Sequence, residues 1–127
     1  MVDSRKYDIT VAVKTAHLAD QSDPSRNQYA FAYTITVTNT GSIPAQLLSR
    51  HWIITDSDHH VQEVKGLGVV GQQPRLKPGE SFEYTSGASL PTAVGTMRGT
   101  YQMVAEDGHT FEADIPVFTL SVPRVLH

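Results

Sequence analysis

The chain reads as all-β: an antiparallel β-sandwich of about seven short strands, of the fibronectin type III or immunoglobulin-like kind. Two observations predict it. The clearest periodicity in the 127 residues is two, the spacing at which successive side chains face opposite sides of a strand. Turn residues also recur at short, regular intervals, with no helical stripe between them. The length suits one domain, residues 1–127, with a core that needs neither disulfides nor metals.

Taken in order, "YDITVAVKTAH" places Ile9, Val11 and Val13 in phase. "YAFAYTITVTN", residues 29–39, sets Tyr29, Phe31, Tyr33, Ile35 and Val37 against Ala30, Ala32, Thr34, Thr36 and Thr38, as a half-buried strand requires. "AQLLSRHWIITD", "HVQEVKG" and "ESFEYTSGASL" are apolar or alternating and are bounded by turn residues. In the last of these, Tyr84 and Leu90 fit a strand end with a glycine bulge at Gly87. "GTMRGTYQMVAE" aligns Met97, Tyr101 and Met103 opposite Arg98, Thr100 and Gln102. The last strand carries Phe111, Ala113, Ile115 and Val117 on one parity and Phe118, Leu120 and Val122 on the other, so a bulge or kink is expected at Pro116. Pro78-Gly79 predicts a type II turn and Asp107-Gly108 a hairpin turn. "ADQSDPSRNQ" reads as a polar loop and the final "PRVLH" as a tail.

Composition removes several functions. A net charge of −3 gives no basic field for nucleic acid. The absence of cysteine excludes disulfides, thiolate zinc sites and a cysteine nucleophile. No apolar run resembles a signal segment or a membrane span, so a cytoplasmic protein without membrane contact is expected.

The stretch "VKGLGVVGQQP" contains Gly66, Gly68 and Gly71 in the order G-x-G-x-x-G. A dinucleotide site needs that pattern between a parallel strand and a helix. Pro74 and the Pro78-Gly79 turn leave no room for such a helix. Two readings remain. The glycines could let backbone N–H groups form an anion nest, with Lys65, Arg75 and Lys77 supplying charge. Alternatively they permit an irregular crossover between sheets, with Leu67, Val69 and Val70 filling the core. His51, Asp56, Asp58, His59 and His60 are metal-ligand types, but they match no ligand spacing and read as a polar turn, so no metal and no cofactor are expected. His17, His109 and His127 are isolated. Ser86 and Ser89 lie on no nucleophile elbow, and no carboxylate pair stands out, so no catalytic residue is assigned. Trp52, Tyr84, Tyr101 and Arg50 are interface-anchor types that serve equally as core or surface residues. A flat edge strand leaves a homodimer open.

"FAYTITVTN", "QLLSRHWIITD", "VKGLGVVGQQPRLKPGESFEYTSGASLPTAVGTMRGTYQMV", "IPVFTLSVP" and the terminal "LH" together resemble the bacterial ApaG family across residues 7–127. The resemblance implies a fibronectin type III-like sandwich and links the chain with cobalt resistance and magnesium or cobalt efflux. It also implies a gene neighbourhood of dinucleoside tetraphosphate hydrolysis and ribosomal RNA dimethylation. Similar domains in F-box proteins and a polymerase-delta-interacting protein look like protein-recognition modules. The family's glycine motif, proposed to bind pyrophosphate, maps onto Gly66, Gly68 and Gly71. The expectation is a non-enzymatic module that recognises a protein partner. The alternative is a nucleotide or pyrophosphate sensor using residues 64–77.

Overall fold

Two antiparallel sheets face each other in the computed structural model, which describes residues 5–123. One sheet has the order β1 (Ile9–His17), β2 (Tyr29–Asn39), β6 (Ser81–Leu90). The other runs β4 (Val61–Leu67), β3 (Ala45–Asp56), β7 (Val94–Ala105), β8 (Thr110–Ser121), and β5 (Arg75–Leu76) pairs with β3 on the β4 side. The expected sandwich is therefore present, with eight strands. The additional one is the two-residue β5, too short to show a period. The expected polar loop carries two single 3₁₀ turns, Ala19–Gln21 and Pro24–Arg26. Of the expected C-terminal tail, residues 124–127 lie outside the described residues.

The alternation in β2 buries Phe31, Tyr33, Ile35 and Val37 between the sheets. Asn39 continues the same parity and is 1% exposed. A buried amide must be fully hydrogen-bonded. Its Nδ2 donates to the carbonyls of Ile43 and Leu76, each at 2.9 Å, and its Oδ1 accepts from Gly41 N–H. Asn39 thereby ties the end of β2 to β5 and to the following loop. The Pro78-Gly79 turn forms as expected, with Gly79 at φ +87° and Glu80 N–H donating to Lys77 C=O. Asp107-Gly108 turns β7 into β8, with Gly108 also at φ +87°.

Two of the three 12-residue strands of the larger sheet change phase through a bulge. In β8, Phe118 pairs with Met97 but Ile115 pairs with Gly99, so Pro116 and Val117 oppose Arg98 alone. This is the expected slip: Ile115 and Leu120 are both buried, while Val117 is exposed. In β3, Leu47 pairs with Met103 and Ser49 with Gln102, leaving Leu48 as the extra residue. Ala45 and Leu47 are buried before it, and Trp52 and Asp56 after it. Without that residue Trp52 and Arg50 would face outward, because a strand's side chains alternate strictly.

Trp52 becomes the hub of the core, meeting Tyr33, Phe118 and Tyr101 edge-on at 5.4, 5.8 and 6.5 Å. Such edge-to-face pairs add to the stabilisation from burial. Two expectations are corrected here. The register of β2 with β6 runs uninterrupted from Tyr29–Leu90 to Thr38–Ser81, so Gly87 marks no bulge. Only Val69 of the three apolar loop residues enters the core; Leu67 is 80% and Val70 54% exposed. The reason is geometric. Leu67 pairs with Ser49 on the outer face of the sheet, and Val70 is a central residue of a two-residue turn.

Candidate binding site at the open margin of the sandwich

The sandwich is closed along one margin and open along the other. At the closed margin β1 lies against β8, and Tyr7 stacks on His109 with centroids 4.1 Å apart. At the margin between β4 and β6, two hollows of about 370 and 260 Å³ enter between the sheets and share Tyr33, Arg50, Trp52 and Ser86 as lining. They exist because β6 turns the small residues Ser86 and Ala88 inward at that level, where Tyr84 and Leu90 on either side are large and buried.

Arg50 is the charged residue that lines both. The bulge at Leu48 turns it inward, and its Nη1 donates to the carbonyls of Leu67 at 3.1 Å and Gly68 at 2.8 Å. Among the described residues no carboxylate lies within ion-pair distance of its guanidinium. Beside it, the Tyr84 and Tyr101 hydroxyls hydrogen-bond each other. Burial pushes Tyr84 up to about 12 and Tyr101 further in the same direction, so both phenols stay protonated at physiological pH. A half-buried cation with unused donors in an aromatic setting is arranged to meet an anionic group.

The three glycines acquire separate reasons. Gly66 pairs with Arg50, and a Cβ there would lie 2.7 Å from Arg50 Nη2; its absence lets the guanidinium pass beneath the strand. Gly68 has φ +63°, donates its N–H to Leu48 C=O, and approaches the Gln72 carbonyl so closely that a Cβ would fall 2.3 Å from that oxygen. Gly71 has φ +79° in a tight turn where Val69 and Gln72 exchange both backbone hydrogen bonds. Val70, the other central residue, has φ +42°. Positive φ at both positions is the type I′ hairpin geometry, which a β-branched residue adopts only under strain. The Leu48 carbonyl accepts from both Gly68 N–H and Gln73 Nε2, so the loop and the bulge hold each other.

Of the remaining loop cations, Lys65 stays beside Gly66, whereas Arg75 and Lys77 lie away from the glycines. Lys65 pairs with His51 and lines a shallow cleft of about 490 Å³ on the outer face, together with Ser49, Gln102 and Glu112. Arg75 lies 3.5 Å from Glu106, and Lys77 opens the Pro78-Gly79 turn. Both lie at the β5 end of β3: Arg75 pairs with Gln46, four residues from Arg50, and Lys77 is two positions further, roughly 13 and 20 Å away at the rise of a strand. The N–H groups of Gly68, Val69 and Gln72 are engaged in internal bonds.

Of the histidine-rich stretch, Asp56, Asp58 and His60 offer ligand atoms within 4.8 Å of one another. Asp56 Oδ1 already accepts the N–H groups of Asp58 and His60 and so closes the turn. His51 stands apart, 3.5 Å from Glu63, and His59 takes a left-handed conformation at φ +65°. Trp52, Tyr84 and Tyr101 are buried in the core; Trp52 and Tyr84 also line the hollows at the open margin, where Arg50 alone of the four interface-anchor types is only half-buried. Sequence reasoning missed the bulge that aims Arg50, because two adjacent leucines hide a change of parity.

Fold and site define a class: a small two-sheet antiparallel sandwich whose open margin is organised around an inward-turned arginine. The family model for the ApaG domain matches residues 19–105. The chain is 66% identical over 127 residues to Protein ApaG of Thiobacillus denitrificans, covering 100% of both chains. It is 66% identical over 122 residues to Protein ApaG of Ralstonia nicotianae, covering 96% of this chain and 98% of that one. The crystal structure of an ApaA protein from Bordetella pertussis superposes with a TM-score of 0.92 at 62% identity, covering 95% of this chain and 98% of that one. This chain belongs to the ApaG family.

Proposed function

We propose that this protein is a non-enzymatic binding module that recognises a protein partner at its open margin. The observation that carries the reading is Arg50, an inward-turned guanidinium without a carboxylate partner among the described residues, set between two strand edges and flanked by aromatic side chains. The hydroxyl–imidazole contact between Ser22 and His17 is not set for nucleophile chemistry. Ser22 Oγ lies 3.3 Å from His17 Nε2 but donates its proton to Leu18 C=O at 2.8 Å, whereas a nucleophile must hand that proton to its base. A part in cobalt or magnesium efflux, which the family resemblance implies, would on this reading be exercised through such a partner. No helix among the described residues is long and apolar enough to cross a membrane.

The test is co-purification of the full chain from cells, compared with Arg50→Gln, with circular dichroism and thermal unfolding to confirm that the variant folds. A specific partner retained by the parent and lost by the folded variant supports the reading. No specific partner, or one held equally by both, overturns it.

A second reading keeps a nucleotide or pyrophosphate at the glycine loop, favoured by Arg50, Lys65 and Gly66 lining one outer cleft. Saturable amide shifts at Gly66, Gly68 and Gly71 on titration with ATP, diadenosine tetraphosphate or pyrophosphate would support it. Unchanged spectra, with and without magnesium, would dismiss it.

A further inference from the structure

The sandwich has four strand edges: β1 and β6 in one sheet, β8 and the β4/β5 side in the other. Exposed edges present unpaired backbone groups, and proteins blunt them with lysine, proline, bulges or short strands. β1 carries Lys14. β8 carries Pro116 and its bulge. The β4/β5 edge carries Lys65 and is broken by the glycine loop. β6 is the least protected: ten residues without lysine, proline or bulge, in unbroken register with β2, whose one charge, Glu83, is turned to the outer face and held by the Thr36 hydroxyl. This edge borders the hollows that Ser86 and Ala88 leave vacant.

We infer that β6 accepts an extended segment of another protein as a fourth strand of its sheet, and that this segment carries a carboxylate side chain that meets Arg50. The inference rests on the protein-recognition reading above and specifies the partner's chemistry. Main-chain hydrogen bonds to β6 would supply affinity, and alternate side chains would supply specificity. On the inward face of the added strand, the residue level with Ser86 faces the hollow containing Arg50, where a carboxylate can take the guanidinium's unused donors. The residue two positions along faces Ala88, Ile54, Val64 and Met97 and must be apolar. The motif is therefore an acidic residue and an apolar residue separated by one position, in a segment free of proline.

The test uses ¹⁵N-labelled full-length protein and three capped decapeptides of alternating threonine and valine: one with a central glutamate, one with glutamine there, and one with the glutamate but N-methylated at alternate residues. The expected result is saturable shifts in amides 81–90 and in Arg50 Nε–H with the glutamate peptide. Glutamine should weaken binding at least tenfold, and N-methylation should abolish it. Arg50→Gln should remove the preference for glutamate while leaving weak binding to β6. Shifts centred on Ser49 and Gln102, equal affinity for glutamate and glutamine, no binding at millimolar peptide, or β6 shifts that follow protein concentration alone would each overturn the inference. A photo-crosslinker at Thr85 or Thr119 separates this from the broader reading. A partner captured from Thr119 on β8 but not from Thr85 on β6 leaves the recognition function standing and removes the β6 site. No specific capture from either position removes both.

Discussion

Replacing the three glycines of the loop by alanine, one at a time, should give three different outcomes. At Gly71 nothing lies within 4 Å of the added methyl, so only the left-handed backbone is penalised. That costs ~1–2 kcal/mol, offset by ~0.4–1 kcal/mol because alanine restricts the unfolded chain. At Gly68 the same backbone penalty is joined by a methyl 2.3 Å from the Gln72 carbonyl oxygen, a backbone atom that cannot rotate away. Relief requires breaking the Gly68–Leu48 bond or the Val69–Gln72 pair, at ~1 kcal/mol for each hydrogen bond lost, and the total is about 2.3 kcal/mol. At Gly66 the methyl meets the end of a flexible side chain, so Arg50 moves and the fold changes little. The assay is urea unfolding followed by the fluorescence of Trp52, the sole tryptophan. With a slope of roughly 1.5 kcal/mol/M, Gly68→Ala should lower the midpoint by about 1.5 M and Gly71→Ala by about 0.5 M. Gly66→Ala should stay close to the parent but lose the Arg50-dependent partner. A Gly71→Ala variant as unstable as Gly68→Ala, or a Gly68→Ala variant with the parent's midpoint, would refute the assignment of separate roles.

Further tests follow from other features. Val70→Asn should stabilise the protein by about 1 kcal/mol, since asparagine tolerates the left-handed turn position that strains a β-branched side chain; the same urea midpoint reads it. Deleting Leu48 should abolish cooperative folding, because Arg50 and Trp52 would both leave the interior, and loss of the tryptophan emission shift would show it. Asp107 is held at about 2, first by the Tyr7 hydroxyl that donates to it, then by His109 N–H and by Lys6 at 3.1 Å. Its stabilising contribution is therefore complete above its ordinary value of 3.8 and is lost as pH falls through about 2. Tyr7→Phe should return the Asp107 carboxyl toward 3.8 in a carbon-detected NMR titration. Lys6, raised by the same contact, loses its part only as pH climbs above 10.5.

The fold was legible wherever one residue determined the geometry. Alternation in β2, the phase slip at Pro116, and the turns at Gly79 and Gly108 each follow from a local rule about side-chain direction or positive φ. Features set by long-range contact were not legible. Asn39 looks like a polar strand end until β5 places the Leu76 carbonyl above it. The bulge at Leu48 falls in "QLLSRHWII", where apolar residues occupy both parities, so the sequence does not show which side Arg50 takes. The spacing of the three glycines signalled a backbone requirement. The requirement at Gly66 comes from an arginine sixteen positions earlier, a relation that no local pattern encodes. Lys65, Arg75 and Lys77 are neighbours in sequence, but the turn at Gly71 and the pairing of β5 separate them.

One residue of added length at Leu48 divides β3 into two segments that follow opposite rules. In a saturating mutational scan, tolerance along the strand would alternate with one parity through position 47 and the other from position 49 onward. A strand aligned to its relatives by hydrophobic alternation alone would place Arg50 among the freely variable positions. Any insertion or loss that shifts this point along β3 would change which residues the interior selects, while leaving the count of strands and their order untouched.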